Sequence, residues 1–423
     1  MDVGEVDAVF EVGPVPADLA ALALAAGAPP GLLERMWALR YPRPRIEFAF
    51  RGAPFPTMAM WEAELDQRER LSDGLVVREA TWDDDARLSD LFADSAERLG
   101  AWDVTAERSP NPYAQARLQE NAHTKLVVDR GVALAVSTQA GRNSLVGGER
   151  LSVAWMGGWR VRNGFRRHGF STMLMNTPGP AASRFGALTY WYVRLENGTA
   201  NSWIASAVRP IDESGRAFEK RTATVYHLDP AAGRRDPRVR LIRPDDVDRC
   251  VELINTTHAG LDLFRPYSPS WFEERLYDQL WGPRPPFVAN VYGWDDMAVL
   301  VDGGRIVACA GLWDKGRDVR ERWRHRESGE ERVVDTACLM DVGCEPGHEA
   351  ELAALVRHHL ATTRDLGRAS LTAAFEFVPA ILDHLADAAP RPETRSLETM
   401  GFTSDEFRVD ATVTRPYTDL AYW

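Results

Sequence analysis

The chain has 423 residues, 45% of them apolar and 26% charged, which is enough to form buried cores in two or three domains. Its formal net charge of −12 argues against non-specific nucleic-acid binding and favours a cationic or neutral substrate. Four cysteines without C-x-x-C spacing suggest neither a zinc site nor a disulfide framework, so we expect reduced thiols and no metal. The sequence shows neither a signal peptide nor an apolar run of about 20 residues, so we expect a cytoplasmic protein without a membrane partner.

Residues 1–73 are expected to form a helical N-terminal extension. Proline followed by an acidic residue at 14–18 is typical of a helix start, and the apolar spacing at 31–39 predicts a second helix after two prolines. A third helix is predicted over 57–71.

A regular order of strands and helices begins at Leu75 and predicts a mixed α/β sheet. The turn Asp129-Arg130-Gly131 lies between two apolar runs and indicates a β-hairpin. Read along the chain, the order is β-α-α-β-β-β-α-β-α. The predicted strands cover 75–79, 124–128, 132–137, 151–161 and 188–195, and the predicted helices follow Asp83 and cover 113–122, 170–185 and 200–208.

A basic, glycine-containing turn joins the strand 151–161 to the helix 170–185. It reads VRNGFRRHGFS over residues 161–171. The first amides of a helix have no partner within the helix, so a turn that also carries arginines offers hydrogen-bond donors and positive charge to an anion. The turn therefore predicts a site for a phosphate-bearing ligand.

This turn and the order of elements resemble the GNAT superfamily of acyl-CoA-dependent N-acyltransferases. The family motif follows a valine near the end of a strand with Arg or Gln, two residues, Gly, one residue, and Gly or Ala. Val161, Arg166, Gly169 and Ser171 occupy these positions, with serine as a small departure at the last one. A second motif, an asparagine after the fifth strand with a small residue three positions later, is matched at Asn197.

The resemblance implies acetyl-CoA or another acyl-CoA as co-substrate. The backbone amides of the turn would bind the CoA pyrophosphate, the edge of the preceding strand would pair with pantetheine, and the thioester would lie where the fourth and fifth strands part. The implied cofactor-binding residues are Trp159, Val161, Arg166, Arg167, His168, Gly169, Phe170, Ser171 and Asn197.

The groups that move protons are less well marked. Amine acylation needs a base for the nucleophile and an acid for the thiolate. The family's tyrosine, seven residues after the asparagine, is replaced by Ile204, and residues 151–165 contain no carboxylate. We name two catalytic candidates, with packing or surface roles as the alternative for each: Glu196 and Tyr192. Other candidates are Tyr190, His123, which is expected at a helix end, and the C-terminal carboxylate of Trp423.

The second half of the chain repeats the pattern of the first. The strand-to-helix stretch 239–246 resembles 76–83, and a hairpin around Asp302-Gly303-Gly304, a strand over 336–342 and a helix over 349–363 follow. The turn at 343–349 is acidic and contains proline, which makes it a poor phosphate site. We expect two tandem GNAT-like domains, 74–230 with an intact CoA turn and 237–423 with a degenerate one.

The expected function is acyl-CoA-dependent N-acylation, with acetyl transfer to a small-molecule amine in specialised metabolism or resistance. Alternatives are altered chemistry on the same fold, with a carrier-protein donor or decarboxylation, and a non-catalytic acyl-CoA sensor. The tandem architecture resembles mycothiol synthase and two-domain aminoglycoside acetyltransferases, in some of which the C-terminus reaches the active copy. The aromatic tail 415–423 predicts a docked C-terminus, and the sequence leaves a homo-oligomer open.

Overall fold

A computed structural model describes most of the chain, and it divides into two compact units. The described residues are 14–25, 27–28, 30–38, 75–108, 118–119, 122–166, 170, 174, 188–197, 218–277, 291–401, 413–418 and 420. The first unit comprises Met1–Ser95, His123–Thr138 and Gly158–Gly179, and the second comprises Ala96–Ala122, Gln139–Gly157 and Pro180–Trp423.

The described residues form mainly strands, with short-to-medium helices between some of them. The strands are β1 (Leu75–Glu79), β2 (Glu97–Leu99), β3 (Trp102–Arg108), β4 (Ala122–Asp129), β5 (Val132–Val146), β6 (Glu149–Val161), β7 (Leu188–Arg194), β8 (Phe218–Leu228), β9 (Val239–Leu241), β10 (Met297–Asp302), β11 (Arg305–Trp313), β12 (Val319–His325), β13 (Glu331–Val334), β14 (Thr336–Cys344), β15 (Ser370–Ala373) and β16 (Arg391–Gly401). The helices are α1 (Ala17–Ala25), α2 (Leu32–Ala38), α3 (Asp85–Asp94), α4 (Val247–Thr257), α5 (Pro269–Tyr277), α6 (Lys315–Asp318), α7 (Glu349–Asp365) and α8 (Ile381–His384).

The first unit is built on strands in the order β1-β4-β5-β6. The predicted hairpin between β4 and β5 is confirmed, because Arg130 and Gly131 both have positive φ, 47° and 83°, as a tight two-residue hairpin turn requires. Apolar side chains of α1 and α2, two helices of the predicted extension, pack in one buried cluster with Phe170 and Leu174, which are helical. The helix predicted over 57–71 lies outside the described residues.

The second unit has β8 and β16 as an antiparallel pair in the middle of its sheet. The strand order is β6-β7-β16-β8-β15-β14-β11-β10-β9. Helix α4 packs on one face in a cluster that contains Val251 and Ile254, and α7 packs in a second cluster with Leu352 and Val356.

A smaller antiparallel sheet in the second unit was not predicted. Its order is β13-β12-β3-β2. The guanidinium of Arg332 lies 4.5 Å from the ring centroid of Trp102 and 4.7 Å from that of Trp323, so cation–π contacts join β13 to β3 and to β12. The many charged residues of β12 hide its strand period in the sequence.

A matched ion pair shows that the two halves repeat one strand-to-helix turn. The guanidinium of Arg78 donates to Asp84 at 2.6 and 2.7 Å, and that of Arg240 donates to Asp246 at 2.6 and 2.9 Å. Each carboxylate also accepts the backbone N–H three residues before it, at 2.9 and 2.8 Å. In the structure, residue 78 corresponds to residue 240. The match of 76–83 with 239–246 predicted from the sequence pairs residue 78 with 241, so it is out of register by one residue.

The last strand of each repeat pairs with the other repeat. Strand β16 pairs with β7 over Leu188–Arg194, and β8 pairs with β15 over Leu371–Ala373. Each of these strands lies within one repeat in the sequence but pairs with strands of both repeats. The domain bounds 74–230 and 237–423 therefore stay a prediction.

Candidate functional site

The predicted ligand turn follows β6 in the first unit. The backbone N–H of Arg162 donates to Leu134 O at 2.8 Å, and that of Phe165 donates to Arg162 O at 3.1 Å. Gly164 has φ 84°, a left-handed conformation that glycine adopts without strain. Arg167, His168, Gly169 and Ser171 lie outside the described residues. Phe170, which is helical, is buried.

Arg162 fixes this turn to the acidic helix α3. Its guanidinium lies 2.5 Å from Asp90 and 3.7 Å from Asp94, and its Nε donates to Ala133 O at 2.9 Å. The side chain is thus occupied by contacts within the first unit, and its role is to position the turn.

The second repeat has the same turn with the opposite charge. The N–H of Glu345 donates to Val307 O at 2.8 Å, His348 N–H donates to Glu345 O at 3.0 Å, and Gly347 has φ 84°. The Glu345 carboxylate accepts from Arg249 and Arg305, each at 2.8 Å. The backbone matches that of the first turn, while a carboxylate replaces the guanidinium.

The strand before each turn contains an irregular residue with positive φ. In the first unit this is Gly158, with φ 63°, in the half-buried last part of β6 that includes Trp159 and Val161. In the second repeat it is Asp341, with φ 50°. Asp341 is buried and accepts from the hydroxyl of Tyr267 at 2.7 Å and from Arg275 Nε at 3.1 Å.

Strands β6 and β7 are parallel and pair over only three residues. The register runs from Val153 opposite Leu188 to Trp155 opposite Tyr190 and stops there, although β7 continues beside β16. Trp155 and Tyr190 are buried at the last paired position. The indole of Trp155 lies over Gly157, where a Cβ atom would be 2.0 Å from the ring. The strands part above a base filled with aromatic rings.

Tyr192 is the first residue on the same face of β7 beyond this point. It is half-buried, its ring packs edge-on against Tyr190 at 6.0 Å, and its hydroxyl donates to Tyr417 O at 3.3 Å. The two tyrosines therefore pack against each other on one face of β7.

Asp262 holds the tail that contains Tyr417. One of its carboxylate oxygens accepts the N–H groups of Thr414 and Arg415, at 2.7 and 3.1 Å, and the other accepts Gly147 N–H at 2.7 Å. Tyr417 N–H donates to Asp262 O at 2.7 Å. The described part of the tail, 413–418, is therefore docked as predicted, and Trp423 lies outside the described residues.

The next tail residue contacts a carboxyl group that the sequence did not single out. The hydroxyl of Thr418 donates to Glu376 Oε1. The Oε2 atom is buried and has no hydrogen-bond partner among the described residues. Burial raises the pKa of Glu376 to about 7, against the lowering effect of the Thr418 hydroxyl. Only the position of Glu376 shortly after a buried strand could have marked it in the sequence.

A buried charged cluster lies where β7 ends. Arg194 donates to Glu321 at 2.5 Å, and Glu393 accepts from Arg395 and from His227, each at 2.8 Å. Burial alone would raise the pKa of Glu393, but the charge of Arg395 and the bond to His227 hold it well below its ordinary value. The charges are paired within the second unit.

The other predicted residues are spread over both units. Glu196 is exposed in the turn after β7, and Asn197 N–H donates to Arg194 O at 3.0 Å in that turn. Arg166 lies in the described part of the turn of the first unit. The expectation that His123 ends a helix is wrong, because Ala122–Asp129 forms β4. His123 lies 3.3 Å from Glu79.

The four cysteines are free and buried, as expected. Among the described residues, no cluster of three or more His, Cys, Asp or Glu side chains is arranged for a metal ion. Within that same part of the chain, no helix has the length and apolar character needed to cross a membrane.

The fold is shared with solved structures of Saccharomyces cerevisiae N-myristoyltransferase with bound myristoyl-CoA. One matches with a TM-score of 0.52 and 10% identity, over 84% of this chain and 81% of that chain. A second gives 0.51 and 10%, over 78% and 83%, and a third, with inhibitors also bound, gives 0.52 and 10%, over 84% and 86%. The predicted mixed α/β fold of GNAT type is confirmed. No protein-family profile and no curated protein matches the sequence.

Proposed function

We propose that the protein is an acyl-CoA-dependent N-acyltransferase whose donor binds to the first repeat. The observation that carries this proposal is the early end of the pairing between β6 and β7, on a strand that continues into a basic turn. The opening between these parallel strands can hold an amide-containing ligand along a strand edge, and the start of the helix predicted after the turn suits a pyrophosphate. The fold shared with structures that hold myristoyl-CoA supports the same donor class.

Differences between the repeats support a single donor site. In the second repeat, Glu345 would repel a phosphate, and Asp341 with its partners Tyr267 and Arg275 occupies the strand irregularity. The first repeat has arginine and glycine at the two equivalent positions. We therefore assign a supporting role to the second repeat, and we assign the donor to the residues predicted for it: Trp159, Val161, Arg166, Arg167, His168, Gly169, Phe170, Ser171 and Asn197.

A short acyl group fits the aromatic base of the opening. Trp155 and Tyr190 are buried there, and their rings leave the interior below the opening filled. We propose acetyl-CoA or a similarly short acyl-CoA as donor and a small, cationic amine as acceptor, in keeping with the acidic net charge.

Tyr192 is the proposed proton donor to the leaving thiolate. It lies on β7 two residues after Tyr190, the last residue paired with β6, and therefore on the same face of the strand. Its hydroxyl already takes part in a hydrogen bond. In the reaction the amine nitrogen attacks the thioester carbonyl carbon, a C–N bond forms and the C–S bond breaks. The thiolate then takes one proton and leaves as the free thiol.

Thermal unfolding with CoA and with a series of acyl-CoA thioesters from two to fourteen carbons tests donor binding. We expect stabilisation by CoA and the largest effect with short thioesters. A free-thiol assay over a panel of amines tests transfer. Stabilisation without thiol release would favour the sensor function, and absence of any CoA effect would refute the proposal. Gly169→Trp should abolish the stabilisation.

A further inference from the structure

We propose that Glu376 accepts the proton of the acceptor amine in the acyl transfer. This inference rests on the proposed function and adds the base that the sequence did not identify. It follows from three contacts in the second unit, which join the carboxyl to the face of β7 where the strands part.

The contacts run through two consecutive residues of the tail. Tyr192 donates to the carbonyl of Tyr417, and the hydroxyl of Thr418 donates to Glu376. Asp262 fixes the same tail through the N–H groups of Thr414 and Arg415. The proposed acid and the proposed base are therefore placed by one segment, on either side of the bond between residues 417 and 418.

The Oε2 atom of Glu376 is suited to bind a positively charged group of the acceptor. Oε1 is occupied by Thr418, while Oε2 is buried and has no hydrogen-bond partner among the described residues. A buried carboxylate oxygen without a donor is costly, and an ammonium group would supply both donor and charge.

Among the described residues, the contact shown for Glu376 is polar, and those shown for the adjacent Phe377 are aromatic. The titratable groups in contact with Phe377 or with the tail are Tyr192 and Tyr417, described above, and His258, whose ring lies 4.3 Å from that of Phe377 and 4.7 Å from that of Tyr417. His258 Nε2 lies 2.9 Å from Val342 O and must therefore carry a hydrogen. The pKa of Glu376, about 7, results from burial opposed by hydrogen bonds to Thr418 and its own backbone.

The proton balance is complete with these groups. Glu376 as carboxylate takes a proton from the ammonium, and the neutral amine attacks the thioester carbon. Tyr192 gives its hydroxyl proton to the thiolate as the C–S bond breaks. The N–H₂⁺ group of the tetrahedral intermediate loses its second proton to water, and Tyr192 regains one proton from water, so that its hydroxyl is restored. Glu376 then releases its proton to water.

The test is the pH dependence of kcat/KM for the wild type and for Glu376→Gln, together with CoA binding by calorimetry. We expect kcat/KM of the wild type to rise with pH through a pKa near 7. E376Q should bind CoA normally, but its kcat/KM should be at least 100-fold lower and should not show this rise. Thr418→Val removes a hydrogen bond that lowers the pKa of Glu376, so the rise should move to higher pH, which a merely structural role of the carboxyl would not cause.

Controls separate the inference from the proposed function. Asp296→Asn removes another carboxyl whose pKa is raised by burial, and this variant should keep the wild-type rise of kcat/KM with pH. If Glu196→Gln shows the loss instead, or if E376Q keeps rate and pH profile, the inference is overturned while transferase activity stands. If the wild type binds no CoA and releases no thiol, the proposed function is wrong, and so is the assignment of Glu376 as the base.

Discussion

Arg162 and Glu345 occupy the same position in the two repeated turns and carry opposite charges. Each backbone N–H donates to the neighbouring strand at 2.8 Å, and each side chain forms an ion pair with the first helix of its own repeat, through Asp90 or Arg249. The two turns thus share one backbone arrangement, while the charge of the side chain and of its helix partner is opposite. Under the proposed function, this difference leaves phosphate affinity in the first repeat alone.

Alanine at these two positions should separate fold from donor binding. Arg162→Ala and Glu345→Ala each break partly exposed ion pairs, so each should lower the free energy of unfolding by about 1 kcal/mol. Only R162A should weaken CoA binding, by about fivefold, which corresponds to about 1 kcal/mol. Urea unfolding and CoA titration measure the two effects. Equal weakening of CoA binding by E345A would contradict the assignment of the donor to the first repeat.

The buried pair of Asp341 and Arg275 should show strong coupling. Both side chains are at most 5% exposed and lie 3.1 Å apart, so removing one partner leaves a buried charge without its counter-ion. Asp341→Ala or Arg275→Leu alone should cost about 3–5 kcal/mol, and the double variant should cost clearly less than the sum. A double-mutant cycle by urea unfolding gives the coupling. Additive losses would show that the pair does not hold the strand irregularity.

Local patterns in the sequence predicted the elements, while contacts between distant segments were found only in the structure. The hairpin at Arg130-Gly131 and the acidic turn at Glu345 follow from short-range rules of turn chemistry and charge. The exchange of β8 and β16 and the contact of Thr418 with Glu376 join segments far apart in sequence, for which one sequence has no periodic signal. Strand β12 was missed because alternate arginines on its exposed face obscure its apolar side.

Trp155 should limit the length of the acyl group. Its indole fills the base of the opening and lies over Gly157, so Trp155→Ala would create space where a longer chain could extend. We expect the ratio of kcat/KM for an eight-carbon thioester over acetyl-CoA to rise at least tenfold, at a cost of about 3 kcal/mol in stability. Trp323→Ala on β12, outside the proposed donor site, serves as a control for the loss of a tryptophan. An unchanged chain-length profile in W155A would show that the acyl group lies elsewhere.

The raised pKa of Glu376 predicts a pH dependence of stability that needs no substrate. The folded protein binds the carboxyl proton more tightly than the unfolded chain, because the pKa is about 7 in the fold against an ordinary 4.5. The free energy of unfolding should therefore fall as pH rises from about 4.5 to about 7 and stay lower above that range. Glu376→Gln should remove the part of this fall that Glu376 causes, which is on the order of 2 kcal/mol after allowance for partial solvent exposure.

Asp296 provides the matched comparison, since burial raises its pKa from 3.8 to about 6. Asp296→Asn should flatten the dependence between these values and leave the decline from pH 6 to 7 that Glu376 causes. Thr418→Val should extend the decline above pH 7, because the hydroxyl lowers the pKa of the carboxyl. Urea unfolding at half-unit pH steps resolves the three profiles. A wild-type profile that is flat from pH 6 to 7, or one that E376Q leaves unchanged, would show that Glu376 is not held as a neutral carboxyl in the folded protein.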